Sequence, residues 1–174
     1  MNSPAQDHVE RLLVSVPDFP KPGILFRDLS TVFAHAEAFR AVTDELVAAY
    51  EGRIDVIAGV EARGFVLAAS AAYSVDAGLV VIRKAGKLPG AVLQEACEIE
   101  YGSAVLEMHP ASTPGQRMLI LDDLLATGGT LAAAVRLAER AGYTVVGIGV
   151  VLELEELHGR AVLPGRELHS ILAL

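Results

Sequence analysis

The chain contains no tryptophan and a single cysteine, and aromatic residues make up only 5% of its 174 positions. A lone thiol, Cys97, cannot close an internal disulfide, so a reducing cytoplasm is the expected home. No apolar run reaches membrane-spanning length without a charge. The opening Met1-Asn2-Ser3-Pro4 has neither the basic nor the apolar region of a signal peptide, so no membrane partner is expected. Positive charge is scarce: 14 Lys and Arg against 22 Asp and Glu leave a formal net charge of −8. Nucleic acid, whose affinity rests on basic side chains neutralising phosphates, is therefore not an expected partner. There is no Gly-Lys-Ser/Thr of a Walker A loop and no Gly-x-Gly-x-x-Gly fingerprint. No His/Cys cluster suggests a protein-caged metal. Internal repeats and low-complexity linkers are also lacking, so residues 1–174 read as one domain.

What is present is aliphatic. Hydrophobic residues reach 52%, mostly Val, Ile, Leu and Ala, which suits parallel strands buried on both faces. The first dozen residues read as a short helix. Val16 to Gly23 carries three prolines and is expected to be irregular. Ala36 to Tyr50 repeats apolar residues at helical spacing. Then strands and helices alternate: Ile54–Ala58, Gly64–Tyr73, Leu79–Ile82, Met118–Leu121, Leu131–Ala138 and Val145–Leu152. Ile99–Tyr101 and Val105–Met108 read as a hairpin turning at Gly102-Ser103. This alternation predicts an α/β fold with a central, mainly parallel sheet flanked by helices. In such sheets ligands sit at the carboxyl ends of the strands.

The most informative such end is Met118-Leu119-Ile120-Leu121-Asp122-Asp123-Leu124-Leu125-Ala126-Thr127-Gly128-Gly129-Thr130. An apolar strand runs into two acids, then a small-residue turn, then a helix start. Backbone N–H groups there, with the helix dipole, form a cradle for phosphate. Gly128 and Gly129 are expected to let the backbone approach a ligand without a Cβ clash. Carboxylates beside such a cradle can accept hydrogen bonds from ribose hydroxyls, so the implied ligand is a ribose 5-phosphate.

This segment resembles the 5-phosphoribosyl-1-pyrophosphate (PRPP) motif of type I phosphoribosyltransferases. The resemblance implies that Asp122 and Asp123 hold the ribose and that Ala126, Thr127, Gly128, Gly129 and Thr130 hold the 5-phosphate. Ala58 to Phe65 is similar to the pyrophosphate loop of the adenine-specific members, which implicates Glu61, Ala62 and Arg63. It also implies a cis peptide between Glu61 and Ala62. Arg83-Lys84-Ala85-Gly86-Lys87, continuing to Gly102, resembles their mobile catalytic loop, about residues 84–108. Arg83, Lys84 and Lys87 would then meet the pyrophosphate, Glu100 would handle the base proton, and Tyr101 would belong to the lid. Phe19 to Asp28 resembles the N-terminal hood of about residues 1–33. There Leu25, Phe26 and Arg27, with Leu124, would bind adenine. The family pattern continues through Leu154 to Arg160. Cys97 and Ala68 depart from it.

The resemblance implies transfer of the phosphoribosyl group to N9 of adenine, giving AMP and pyrophosphate, with Mg²⁺ carried on the substrate and a homodimeric assembly. The rival readings are an enzyme of the same fold for another purine, and a PRPP-sensing regulator. The hood sequence argues against the first. The acidic balance, with Glu100 and the loop cations retained, argues against the second.

Overall fold

The computed structural model describes residues 2–99 and 102–174. Helix α1 (Pro4–Leu12) starts as its sequence dictates: Pro4 occupies the first turn, and Ser3 Oγ accepts from the Gln6 N–H at 3.1 Å. Strands β1 (Val14–Pro17) and β2 (Leu25–Asp28) follow as an antiparallel ribbon. Val16 and Pro17 thus lie in a strand, paired with Phe26 and Leu25, where irregular backbone was expected. A two-stranded ribbon consists only of edges, and proline is tolerated on an edge. Two helices come next, α2 (Ser30–Ala34) and α3 (Ala36–Ala48).

The rest alternates as the pattern predicts. The elements are β3 (Val56–Val60), α4 (Arg63–Ser74), β4 (Gly78–Lys84), β5 (Leu93–Ile99), β6 (Gly102–Met108), β7 (Arg117–Leu125), α5 (Gly129–Arg140), β8 (Thr144–Glu153) and β9 (Leu168–Ala173). Among the described residues seven strands form one sheet in the order β5-β6-β4-β3-β7-β8-β9. Strands β4, β3, β7, β8 and β9 run parallel, and β6 and β5 extend the sheet antiparallel.

The core has two halves, one on each face of the sheet. Val9, Val42, Leu46 and Leu67, from α1, α3 and α4, meet Ile57, Leu119 and Leu121 on one face. On the other, Leu131, Ala134, Val135 and Ala138 of α5 meet Ala58, Ile120 and Ile148, and the β5–β6 hairpin covers the same helix. The small side chains of α4 let it lie close to the sheet: a Cβ on Gly59 would stand 2.8 Å from Cβ of Ala68.

Two strand boundaries differ from those the pattern predicts. The hairpin does not turn at Gly102-Ser103; Ser103 lies within β6, opposite Glu98 of a much longer β5. The polar run Gln94, Glu95, Glu98 hides that strand, because it pairs with β6 while presenting charge to solvent and to α5. Strand β7 does not stop at Leu121. Its pairing with β8 continues through Asp122↔Val150 and Leu124↔Leu152, so both acids sit on a strand.

Candidate active site

The carboxyl ends of β3 and β7 are adjacent in the sheet, and this brings the two acid- and glycine-rich segments together. Three cavities adjoin there. One, about 180 Å³, is lined by Asp122, by Leu124 to Gly128, and by Thr130 and Leu131. A second, about 330 Å³, is lined by Glu61, Ala62, Arg63, Lys84, Cys97, Asp122, Asp123 and Thr130. A third, about 360 Å³, lies beneath the N-terminal ribbon between Ile24, Leu25, Phe26 and Arg27 on one side and Leu124, Leu154 and Leu157 on the other. They share walls: Asp122 and Thr130 border the first two, Arg63 the second and third, Leu124 the first and third.

Helix α5 opens on the first cavity at Gly128, which has a left-handed φ of 80°, and among the described residues no side chain caps it. The first N–H groups of a helix have no intrahelical partner, and this start at the cavity suits a phosphate. The glycines serve a different purpose from the one expected. A Cβ on Gly128 would stand 2.3 Å from the carbonyl oxygen of Gly159, and one on Gly129 would meet the carbonyl oxygen of Glu98. Both directions lead into protein. The turn is pinched between the segment after β8 and the end of β5.

Asp122 and Asp123, neighbours in sequence, face different surroundings. The Asp122 carboxyl is buried and accepts from the Asp123 N–H at 2.9 Å. Burial, with the Asp123 charge beside it, pushes it well above the usual carboxylate range. Asp123 instead has an ion partner, Arg63 Nη2 at 2.7 Å from its Oδ2. The Arg63 guanidinium also donates to the Arg27 carbonyl at 3.3 Å and lies 5.1 Å from the centre of the Phe26 ring. It thus ties the ribbon to the acid pair.

The Glu61–Ala62 peptide is cis, as the resemblance implies. Glu61 gathers the basic segment. Lys87 Nζ is 2.7 Å and Arg83 Nη2 3.4 Å from its Oε1, and the Lys84 N–H donates to Oε2 at 2.9 Å. The Lys87 ammonium above all, then the Lys84 amide and Arg83, hold its carboxyl down to about 2. Basic side chains so gathered at a strand end suit an anion carrying several charges.

The structure brings together Asp122, Asp123, the 126–130 turn, Glu61, Ala62, Arg63, Arg83, Lys84, Lys87, Leu25, Phe26, Arg27 and Leu124. Glu100 and Tyr101 lie outside the described residues. Sequence reasoning missed the wall of Leu154 and Leu157 and the packing of Gly159 under the turn. The sequence signal for both was the run Leu154 to Arg160, noted without a role. Cys97 is buried, and burial pushes its thiol up. It faces the same cavity as Arg63 and Asp122.

The profile of the phosphoribosyl transferase domain matches residues 30–162. The adenine phosphoribosyltransferase of Clavibacter michiganensis is 61% identical over 173 residues, 99% of this chain and 98% of that protein. This chain belongs to the adenine phosphoribosyltransferase family. Its solved relatives agree. The adenine phosphoribosyltransferase of Rhodothermus marinus superposes with a TM-score of 0.92 at 44% identity, covering 98% of each chain. The Saccharomyces cerevisiae adenine phosphoribosyltransferase, solved with adenine and the imino-altritol bisphosphate D-DIAB, gives 0.89 at 36% identity, covering 97% of this chain and 98% of that one. The coverage by these adenine phosphoribosyltransferases takes in the N-terminal ribbon, which precedes the domain match.

Proposed function

We propose that the chain transfers the 5-phosphoribosyl group of PRPP to N9 of adenine, releasing AMP and pyrophosphate. The observation that carries this reading is the set of three adjoining cavities with shared walls, in a chain so similar to adenine phosphoribosyltransferases. The 5-phosphate takes the cradle from Ala126 to Thr130. Asp122 and Asp123 accept from the ribose hydroxyls. The pyrophosphate lies against Glu61, Ala62 and Arg63 and under Arg83, Lys84 and Lys87. Adenine enters beneath Leu25, Phe26 and Arg27, with Leu124 as the floor.

In the reaction the bond from C1 of the ribose to N9 forms, the bond from C1 to the pyrophosphate oxygen breaks, and the N9 proton leaves. Positive charge grows on the sugar and negative charge on the leaving group. Buried carboxylates on one side and cations on the other stabilise these two developing charges. Glu100 is assigned the N9 proton. The segment 84–108 carries the lid: its tip, with Tyr101, keeps water from the activated sugar, while Leu106 and Met108 at its base stay in the core. Residues 1–33 act as the hood, within one domain.

Mg²⁺ fits this donor set as a substrate-borne ion. Among the described residues no group of three or more His, Cys, Asp or Glu side chains is arranged to hold a metal. The hard oxygens lining the middle cavity are those of Glu61, Asp122 and Asp123, which would meet a hydrated ion held by PRPP. When bound, the ion supplies charge neutralisation to the departing pyrophosphate. No helix among the described residues is long and apolar enough to cross a membrane. Tyr73, 92% exposed, lies near exposed Val66 and Val75 on α4 and its C-terminal end. That apolar surface supports a homodimer.

The deciding assay offers PRPP with adenine, hypoxanthine or guanine. Adenine and hypoxanthine present opposite donor and acceptor patterns at N1 and C6. A hood that reads this edge with main-chain groups near Leu25 and Arg27 should favour adenine in kcat/KM by roughly 10⁴-fold, because the wrong base leaves buried polar groups unpaired. Comparable values for adenine and hypoxanthine would refute the assignment of the hood.

A further inference from the structure

Glu107 lies on β6, opposite Arg83 of β4, and is 1% exposed. A charged residue between Leu106 and Met108, both in the core, needs a reason. It has four donors. Oε1 accepts from the N–H groups of Lys87 and Leu88, each at 2.7 Å, and Oε2 accepts from the Gly86 N–H at 3.0 Å and from Gln94 Nε2 at 3.2 Å. Three consecutive backbone amides thus converge on one carboxylate. This requires a turn whose N–H groups point the same way, and Gly86 supplies it with a left-handed φ of 84°.

The loop so held is the basic one, and only its backbone is used. The side chains of Arg83 and Lys87 pair with Glu61 instead. Those cations must exchange Glu61 for pyrophosphate during the reaction, so a clamp acting through them would compete with the substrate. A clamp acting through amides does not. A neutral side chain would serve less well, because two oxygens must accept from four donors and an amide group would turn its own N–H groups toward them.

We propose that Glu107 is a positioning residue for the transfer reaction, holding the turn 86–88 by its backbone so that the cations of this loop stay over the pyrophosphate. The proposal rests on the reading of Arg83, Lys84 and Lys87 as the leaving-group contacts.

The test compares wild type, Glu107→Gln and Lys87→Ala in three measurements: pyrophosphate binding by calorimetry, kcat and KM for PRPP and adenine, and the rate of tryptic cleavage after Lys84 and Lys87 in folded protein. In Glu107→Gln, cleavage should speed up, and pyrophosphate affinity and kcat/KM for PRPP should fall, by up to roughly 10²-fold for a misplaced charged group. The KM for adenine should hold. If Glu107→Gln yields little folded protein, Glu107→Asp takes its place. It keeps the charge but retreats by one methylene, and should show the same pattern in weaker form. Wild-type pyrophosphate affinity in either folded variant, or a loss that merely follows the unfolded fraction, overturns the proposal. Lys87→Ala separates the two ideas. If it binds pyrophosphate as wild type does, the leaving-group reading falls, and the clamp is then judged by the cleavage rate alone.

Discussion

The guanidinium of Arg63, in the first turn of α4, lies 2.7 Å from Oδ2 of Asp123 near the end of β7. A helix start and a strand end that are sixty residues apart in sequence are thereby joined across the middle cavity by one ion pair. Arg63 retains a third of its side-chain exposure, so water screens the pair and a coupling of about 1 kcal/mol is expected. A double-mutant cycle of Arg63→Gln and Asp123→Asn, read from urea midpoints, measures it. Strictly additive single effects would show that the contact does not couple the two elements.

Asp122 trades stability for binding. Its carboxyl has a raised pKa in the folded state, so its contribution to stability is full below the unfolded value of about 3.9 and is lost as pH rises through the folded value. Above the unfolded value burial works against its charged form, so the group costs folding free energy there. Asp122→Asn keeps the acceptor for the Asp123 N–H and removes the charge. Its Tm should exceed that of wild type at pH 7 to 8, and the gap should narrow toward pH 4. PRPP affinity should fall by roughly ten- to a hundredfold, the worth of a hydrogen bond to a charged group. An Asn variant that is less stable at pH 8 and binds PRPP normally would contradict both halves.

Glu61 shows the opposite sign. Its folded-state pKa, held down to about 2, means that it contributes stability above the unfolded value of about 4.3, and that this is lost as pH falls toward 2. Glu61→Gln should therefore be less stable than wild type at pH 6, and the gap should narrow below about pH 4 and close only as pH reaches about 2. Urea midpoints collected from pH 2 to 7 test the trend. A difference independent of pH would mean that Glu61 matters by shape alone.

Gly128→Ala should unfold the protein more readily in the absence of any ligand. The new Cβ would require a left-handed backbone and would meet the Gly159 carbonyl at 2.3 Å. Backbone strain of this kind costs about 1–3 kcal/mol. Had the glycine served only to admit phosphate, the Tm of the free variant would match wild type and only PRPP affinity would change. Thermal scans with and without PRPP distinguish the two.

Much of the site was legible in one dimension because its chemistry is local. An apolar strand running into two acids, a small-residue turn and a helix start lie within Met118 to Thr130. Strand and helix periodicity, imposed by burial on both sheet faces, set the α/β order. Strand β5 was less legible because its polar residues mask the pairing, and β9 because it is a short edge strand closing the sheet beyond β8.

The sequence alone determined which groups are available: two adjacent carboxylates, a cradle of backbone amides, three cations in five residues and a proline-rich N-terminal segment. Only the tertiary structure decided what each group does to the others. Asp122 and Asp123 are covalent neighbours that line one cavity, yet only Asp123 has Arg63 within ion-pair distance, while Asp122 also borders the phosphate cradle. Gly128 is required by Gly159, a residue thirty-one positions away that comes under the turn because β8 is paired beside β7. Glu107 reads as one more charge in a strand until β6 pairs with β4 and sets its carboxylate under the amides of the basic turn. A residue's chemistry is written in its side chain, but its burial, its partner and its proton affinity depend on what the fold packs against it.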